Sequence, residues 1–230
     1  MNKKNRHIGL YIRLLPLVMV LLLGAITPLR VHAQDSTSLG ALKIEPGGKV
    51  WIKGSAKVTD YRCKAKELSG NGIIDNTKRP QQSIRGQGNV SIIVSIPVHA
   101  LKCGKKPMNK DMYNALKADK FPRIKYQLLK AVQANSDSSV TMGSWIPIKV
   151  KGMLEIAGVW KATTLNVEGK LLSPSEFQVK GSKELSMKTF NVKPPTAFFG
   201  LIKASPKLEL LFDVVIKMEN NATDSNFLSH

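Results

Sequence analysis

Histidine, cysteine and aromatic side chains are scarce in this chain, with four His, two Cys and 6% Phe, Trp and Tyr among 230 residues. Acidic residues are scarce as well, 16 against 35 Lys and Arg. Two cysteines cannot build a disulfide-dense scaffold. With only 17 Gly and 12 Pro the chain is neither collagen-like nor of low complexity, and a 43% hydrophobic content excludes intrinsic disorder. No HExxH, CxxC or histidine pair occurs, so no zinc pattern is present, and no nucleophile-elbow sequence marks a hydrolase. The stretches Gly70-Asn71-Gly72 and Gly86-Gln87-Gly88 lack a following helical pattern and a Lys-Ser/Thr. They fail as phosphate cradles and read as turns between strands. A globular chain remains, of a length that suits one domain with its own core.

The N-terminus stands apart. Lys3, Lys4, Arg6 and Arg13 precede a 13-residue apolar run from Leu14 to Ile26, followed by Val31-His32-Ala33. The run falls short of the roughly 20 residues that span a bilayer, and the small residue at Ala33 suits a signal peptidase. Residues 1–33 therefore read as a secretory signal, the alternative being an uncleaved anchor, and the mature protein is expected to be exported and periplasmic. Cleavage would remove five basic residues and no acidic ones, leaving a net charge of +14. That surplus favours an anionic membrane surface as partner, whereas an exported protein rarely meets nucleic acid. The charges are spread along the chain, however, which also fits a solvated face.

Export changes what the cysteines mean, since an oxidising compartment lets Cys63 and Cys103 pair. One disulfide is expected, the alternative being two separate thiols. Cleavage also takes away His7 and His32, leaving His99 at a strand end and the terminal His230. A strand-end histidine reads as solvated. Carboxylates remain for acid and base work, with Glu67, Asp75, Glu155, Glu168 and Asp213 in or near strands, but nothing in the sequence pairs them.

From Val50 onward, short alternating runs separated by turn residues predict an all-β sandwich or barrel. Strands are expected at Lys49–Lys57, Asp60–Glu67, Gly70–Asp75, Gly88–Pro97, Arg123–Ala134, Trp145–Ile156, Lys161–Leu172, Glu176–Ser186 and Lys207–Met218. The period of two puts Val90, Ile92, Val94 and Ile96 on one face. It does the same for Ile148, Val150, Leu154 and Ile156, and for Leu208, Leu210, Phe212, Val214 and Ile216. One stretch, NKDMYNALKADKFP, has helical spacing instead: Met108, Met112, Ala115 or Leu116, and Asp119 align, Asn109 can cap, and the helix must end before Phe121-Pro122. Residues 34–47 read as a flexible lead-in and residues 220–230 as a polar, frayed tail. Pro194, Pro195 and Gly200 rule out a central strand between Asn191 and Ala204, so Phe198 and Phe199 fall on a loop, either as core plugs or at a ligand entrance.

This order of segments resembles the YceI-like family of exported lipid-binding proteins. NKDMYNALKADKFPRIKYQL is similar to that family's short helix leading to an aromatic, a proline and a strand. VKGMLEIAGVWKATTLNVEG resembles its strand, turn and strand, with Gly158, Val159 and Lys161 in the turn positions. LSMKTFNVKPPTAFFGLIKASPKLELLFDVVIKM resembles the final hairpin of a secreted subgroup. The likeness covers about Gly48 to Glu219. One departure stands out: many members carry a Ser and a His where KGSAKVTDYRCKAKE has Ser55 and Asp60 but no His.

The resemblance implies an eight-stranded antiparallel, lipocalin-like barrel over residues 48–219, with a short helix alongside and an apolar cavity for a polyisoprenoid or other amphiphilic lipid. It implies a binding protein, not an enzyme, with no required cofactor and an isoprenoid lipid or quinone as ligand. Strand parity then nominates Ile92, Val94, Ile96, Ile148, Val150, Leu210, Phe212 and Val214 as walls, with Met112, Phe198 and Phe199 near an end. No metal or catalytic residue is expected. The oligomeric state, a dimer included, is not legible. The alternative is a barrel packed solid whose basic surface docks an anionic envelope partner.

Overall fold

Alternation of apolar and polar side chains stabilises a strand only if its apolar face is covered, and here the sheet covers itself by closing. A computed structural model describes residues 39–56, 59–75, 90–134, 140–197 and 202–219. The expected signal at 1–33, the tail at 220–230, Gly86 to Gly88, and Phe198 and Phe199 lie outside these described residues. In chain order the elements are β1 (Leu39–Ile44), β2 (Lys49–Ala56), β3 (Thr59–Ala65), β4 (Ser69–Asp75), β5 (Val90–Pro97) and β6 (Leu101–Lys102). There follow α1 (Lys106–Ala115), β7 (Arg123–Gln133), β8 (Trp145–Ile156), β9 (Val159–Ser173), β10 (Glu176–Ser186), β11 (Thr196–Ala197) and β12 (Ile202–Glu219).

Antiparallel ladders run through β1, β4, β5, β7, β8, β9, β10 and β12, and β12 returns to β1 from Ala41 opposite Glu219 to Ile44 opposite Ile216. The result is a closed eight-stranded barrel with, among the described residues, one α-helix. Three of its staves are each bent into two strands. β2 continues β1 beyond Gly47, which has a φ of 91°; β3 leads into β4; and β6 continues β5 beyond a 3-10 turn at Val98–Ala100. The far halves pair in the same sense, β12 with β2, β2 with β3 and β3 with β6. The 18-residue β12 thus receives both β1 and β2 along one edge and β10 along the other.

Several expectations change in detail. The lead-in at 34–47 is not all flexible, because Leu39–Ile44 is β1 and closes the barrel, with Leu42 and Ile44 buried. Its short length and two small residues, Gly40 and Ala41, hid the pattern. Gly70 and Gly72 lie inside β4 and not in a turn. A side chain on Gly72 would collide with the Ser91 carbonyl oxygen, so glycine serves close strand approach there. The last strand begins at Ile202, earlier than expected; a register shift between Ala204 and Leu208 lets Pro206 sit within it.

Helix α1 starts four residues earlier than the Asn109 cap predicts, at Lys106 with Pro107 in its first turn. Asn109 instead pins the loop before the helix, its Oδ1 accepting the Cys103 N–H at 2.7 Å. The helix ends in a Schellman arrangement, Ala118 N–H to Tyr113 O at 3.0 Å and Lys117 N–H to Asn114 O at 3.1 Å, with Lys117 left-handed at φ 53°.

Packing divides the barrel along its axis. Away from α1, Leu42, Ile44, Ile74 and Ile92 form one buried cluster, and Ile146, Ile148, Val150, Leu165 and Val167 form another, with Ile44 and Leu165 at the border of the open part of the barrel. At the helix end, Leu154, Ala157, Phe190 and Val192 gather against Ala115, Leu116 and Met187. Cys63 and Cys103 are bonded, as expected, joining β3 to the loop ahead of α1 across a separation of 40 residues. Replacing both by alanine is expected to cost about 3 to 4 kcal/mol on the chain-entropy account. Denaturant melts of the oxidised protein and of Cys63→Ala/Cys103→Ala would measure the loss.

Candidate ligand cavity

The barrel is not packed solid. Toward the helix end its interior opens into a cavity of about 560 Å³, bounded by β2, β3, β5, β7 to β10, β12, α1 and the 3-10 turn Met187–Phe190. That volume lies within the range of about 300–1,000 Å³ usual for small-ligand sites. The walls are aliphatic because alternate residues of every strand face inward: Ile52 from β2, Val94 and Ile96 from β5, Leu210, Phe212 and Val214 from β12. The helix adds Met108, Met112, Ala115 and Leu116. These are the aligned residues of its sequence pattern; only Asp119 departs, since the helix has ended and that side chain is exposed.

Of the nominated residues, Val94, Ile96, Met112, Leu210, Phe212 and Val214 line this cavity. Ile92, Ile148 and Val150 also face inward but belong to the packed clusters at the other end, so their placement as cavity walls is corrected. Parity states which side of a strand a residue occupies; it carries no information about height along the barrel axis. Phe198 and Phe199 fall outside the described residues.

Two tyrosines enter the cavity wall, each laid over a glycine that leaves room for its ring. Tyr61 covers Gly54, its cross-strand partner, and Tyr126 covers Gly152. A side chain at either glycine would strike the ring. The Tyr126 hydroxyl is buried without a hydrogen-bond partner among the described residues. Desolvation pushes its phenol up from 10.0 to about 12, and the Tyr61 phenol is raised for the same reason. Sequence reasoning missed both tyrosines. The signal was their inward parity near a glycine of the next strand, directly opposite for Tyr61 and diagonal for Tyr126, which is visible only once register is known.

The carboxylates singled out from sequence do not gather. Glu155 pairs with Lys125 at 3.1 Å, Glu168 with Lys180 at 3.0 Å, and Asp213 accepts from Gln178 Nε2 at 2.8 Å. All three alternate with inward residues and so face outward. Glu67 is exposed between β3 and β4. Asp75 ends β4. His99 is exposed, edge-on to Tyr113 at 4.5 Å. Among the described residues no cluster of His, Cys, Asp or Glu could hold a metal. The charged groups that do line the cavity are Lys105, Asp111 and Lys183.

The outer side of α1 is basic. Lys102, Lys106, Lys110, Lys117 and Lys120 surround a shallow depression there, beside His99 and Tyr113. Lys102 donates to the Tyr113 hydroxyl at 3.0 Å, and that hydroxyl donates to the Leu101 carbonyl at 2.8 Å. The helix therefore turns Met and Leu toward the cavity and lysines toward solvent.

A family model for the YceI-like domain matches residues 47–216. The chain belongs to this family. The YceI-like barrel also matches solved structures. Burkholderia cenocepacia BcnA matches with a TM-score of 0.54 and 17% identity, over 73% of this chain and 95% of that one. A polyisoprenoid binding domain from Saccharophagus degradans, implicated in plant cell wall breakdown, matches with a TM-score of 0.58 and 11% identity, over 77% and 98%. A Campylobacter jejuni YceI protein matches with a TM-score of 0.52 and 16% identity, over 71% and 87%. At these identities the likeness is one of fold. The comparison with curated proteins gave no match. No helix among the described residues is long and apolar enough to cross a membrane.

Burial of Tyr126 has a consequence for alkaline stability. Its folded pKa lies above the unfolded value, so its contribution is intact below pH 10 and is lost as pH rises from about 10 toward 12. Tyr126→Phe is expected to flatten that decline. It should also stabilise the ligand-free protein by about 1 kcal/mol, since an unsatisfied buried hydroxyl is removed. Thermal melts of the two proteins between pH 7 and pH 11 would check both effects.

Proposed function

We propose that this chain is an exported, periplasmic binding protein that holds one polyisoprenoid or related amphiphilic lipid in the barrel, without catalysing a reaction on it. The observation that carries the reading is the cavity, whose walls are almost wholly aliphatic and which stays open at one end of an otherwise packed barrel. Burial of each methylene is worth about 0.8 kcal/mol, so a long chain binds well there with few polar contacts. The relative from Saccharophagus degradans is described as a polyisoprenoid binding domain, which supports the same ligand class here. An isoprenoid quinone, with its apolar tail and small polar ring, fits the same requirements. The N-terminal charge and apolar run support export, and the disulfide suits an oxidising compartment.

The basic side of α1 supports contact with an anionic membrane surface during loading or release. Lys106 and Lys110 sit on the same helix that walls the cavity, with Lys102, Lys117 and Lys120 beside it, so docking would bring the cavity end to the lipid.

The test is native mass spectrometry, with solvent extraction, on the full chain expressed in a bacterial host and recovered from its periplasm. A retained long-chain isoprenoid, and a mass starting at Gln34, are the expected results. A ligand-free protein that also fails to take up an added fluorescent fatty probe would overturn the reading. Narrowing the cavity by Ala115→Trp is expected to weaken probe binding at least tenfold while the circular dichroism of the barrel is unchanged.

A further inference from the structure

The barrel wall has a seam. The β9–β10 ladder runs from Ser173 opposite Glu176 to Val167 opposite Gly181 and stops there. Beyond it, β9 continues to Val159 paired only with β8, and β10 continues to Ser186 paired only with β12. Among the described residues no backbone hydrogen bond joins the two strands over this stretch. Four cavity-lining residues face the seam, Thr163 and Leu165 from β9 and Lys183 and Leu185 from β10.

Lys183 is out of character with its neighbours. Its alternation with Val179, Gly181 and Leu185 and its register opposite Leu210 place it on the inward face of β10. It is half-buried and, among the described residues, has no ion pair or hydrogen bond. The lysines and acids nearby on the outer faces are already engaged, Lys180 with Glu168 and Lys207 with Glu184. An ammonium group within an apolar wall is costly unless it reaches water or an anion. The seam offers that: a gap beside the cation through which a polar group can remain hydrated while an apolar chain lies among the aliphatic residues. The other charged residues of the cavity, Lys105 and Asp111, come from the start of α1 and its second turn, so Lys183 is the charge contributed by the barrel strands.

We infer that Lys183, in the seam between β9 and β10, recognises an anionic head group, a phosphate or carboxylate, on the amphiphile that the cavity holds. The inference rests on the lipid-binding reading above and narrows it from amphiphiles in general to acidic ones. Thr163 can add a hydroxyl contact from the opposite side of the seam. A charge-assisted hydrogen bond to an anion is stronger than one to an alcohol, so the head group decides among ligands whose chains are the same.

The test compares hexadecyl phosphate with hexadecanol, an acidic and a neutral head group on one chain, by displacement of a fluorescent fatty probe from the full protein recovered from the periplasm. Hexadecyl phosphate is expected to bind at least tenfold more tightly. Lys183→Met should reduce that ratio to near one, Lys183→Arg should keep it, and Lys151→Met, at an exposed lysine on the outer face of β8, should leave it as it was. Inorganic phosphate at millimolar concentration should not displace the probe; if it displaces the probe as effectively as hexadecyl phosphate does, the site is for free anions and the inference fails. Equal binding of both amphiphiles, or a ratio that Lys183→Met leaves unchanged or lowers no more than Lys151→Met does, would overturn the role of Lys183 while leaving the lipid reading intact. Binding of neither would overturn both. Thermal melts showing Lys183→Met folded like the parent tie any change in ratio to the head group.

Discussion

Everything in this protein depends on barrel closure along β12. That strand is long enough to pair with β10 on one edge and, in succession, with β2 and β1 on the other. Closure removes the free sheet edge and turns one face of every stave inward, where aliphatic side chains are shielded from water. Without β1 the end of β12 would lack a partner on that edge, and the cluster of Leu42, Ile44 and Ile74 would be open to solvent.

Closure also creates the cavity, because eight strands leave more room than the inward side chains fill along the whole axis. At one end the Ile and Val residues of β1, β4, β5, β8 and β9 meet in the middle. At the other the staves bend at Gly47 and at the 3-10 turn Val98–Ala100, the β9–β10 ladder ends, and α1 walls part of the open interior. Glycine enlarges the interior further: Gly54 and Gly152 give up side-chain volume that Tyr61 and Tyr126 occupy. The disulfide then holds β3 to the approach of α1, where the Cys103 sulfur lies 3.4 Å from that of Met112 on the cavity wall. Fold stability and cavity shape are thus set by the same contacts.

Electrostatics are organised around that apolar interior. On the outer faces Glu155 is engaged with Lys125 and Glu168 with Lys180, and five lysines stand beside α1. An exposed pair such as Glu168 with Lys180 contributes little to stability. The lysines beside α1 leave the helix end of the barrel positive.

Alternation within β5, β8 and β12 was legible in the sequence, and with it which side chains face inward; Trp145–Ile156 and Glu176–Ser186 match their expected limits. The helix was legible from the spacing of Met108, Met112 and Ala115, and the likeness to YceI-like proteins supplied the closed barrel. Three things needed the tertiary structure. The depth of a residue along the barrel axis separates Val94, on the cavity wall, from Ile92, in the packed core, although they are neighbours on one face. The role of β1 appears only when β12 is beside it, since six residues with two small ones carry too weak a pattern alone. The seam beside Lys183 arises because two strands that pair at one end follow different neighbours at the other, and a linear sequence records the strands but not where their ladder ends. Local side-chain order determines what faces inward; pairing across the barrel decides how far in, and what stays open.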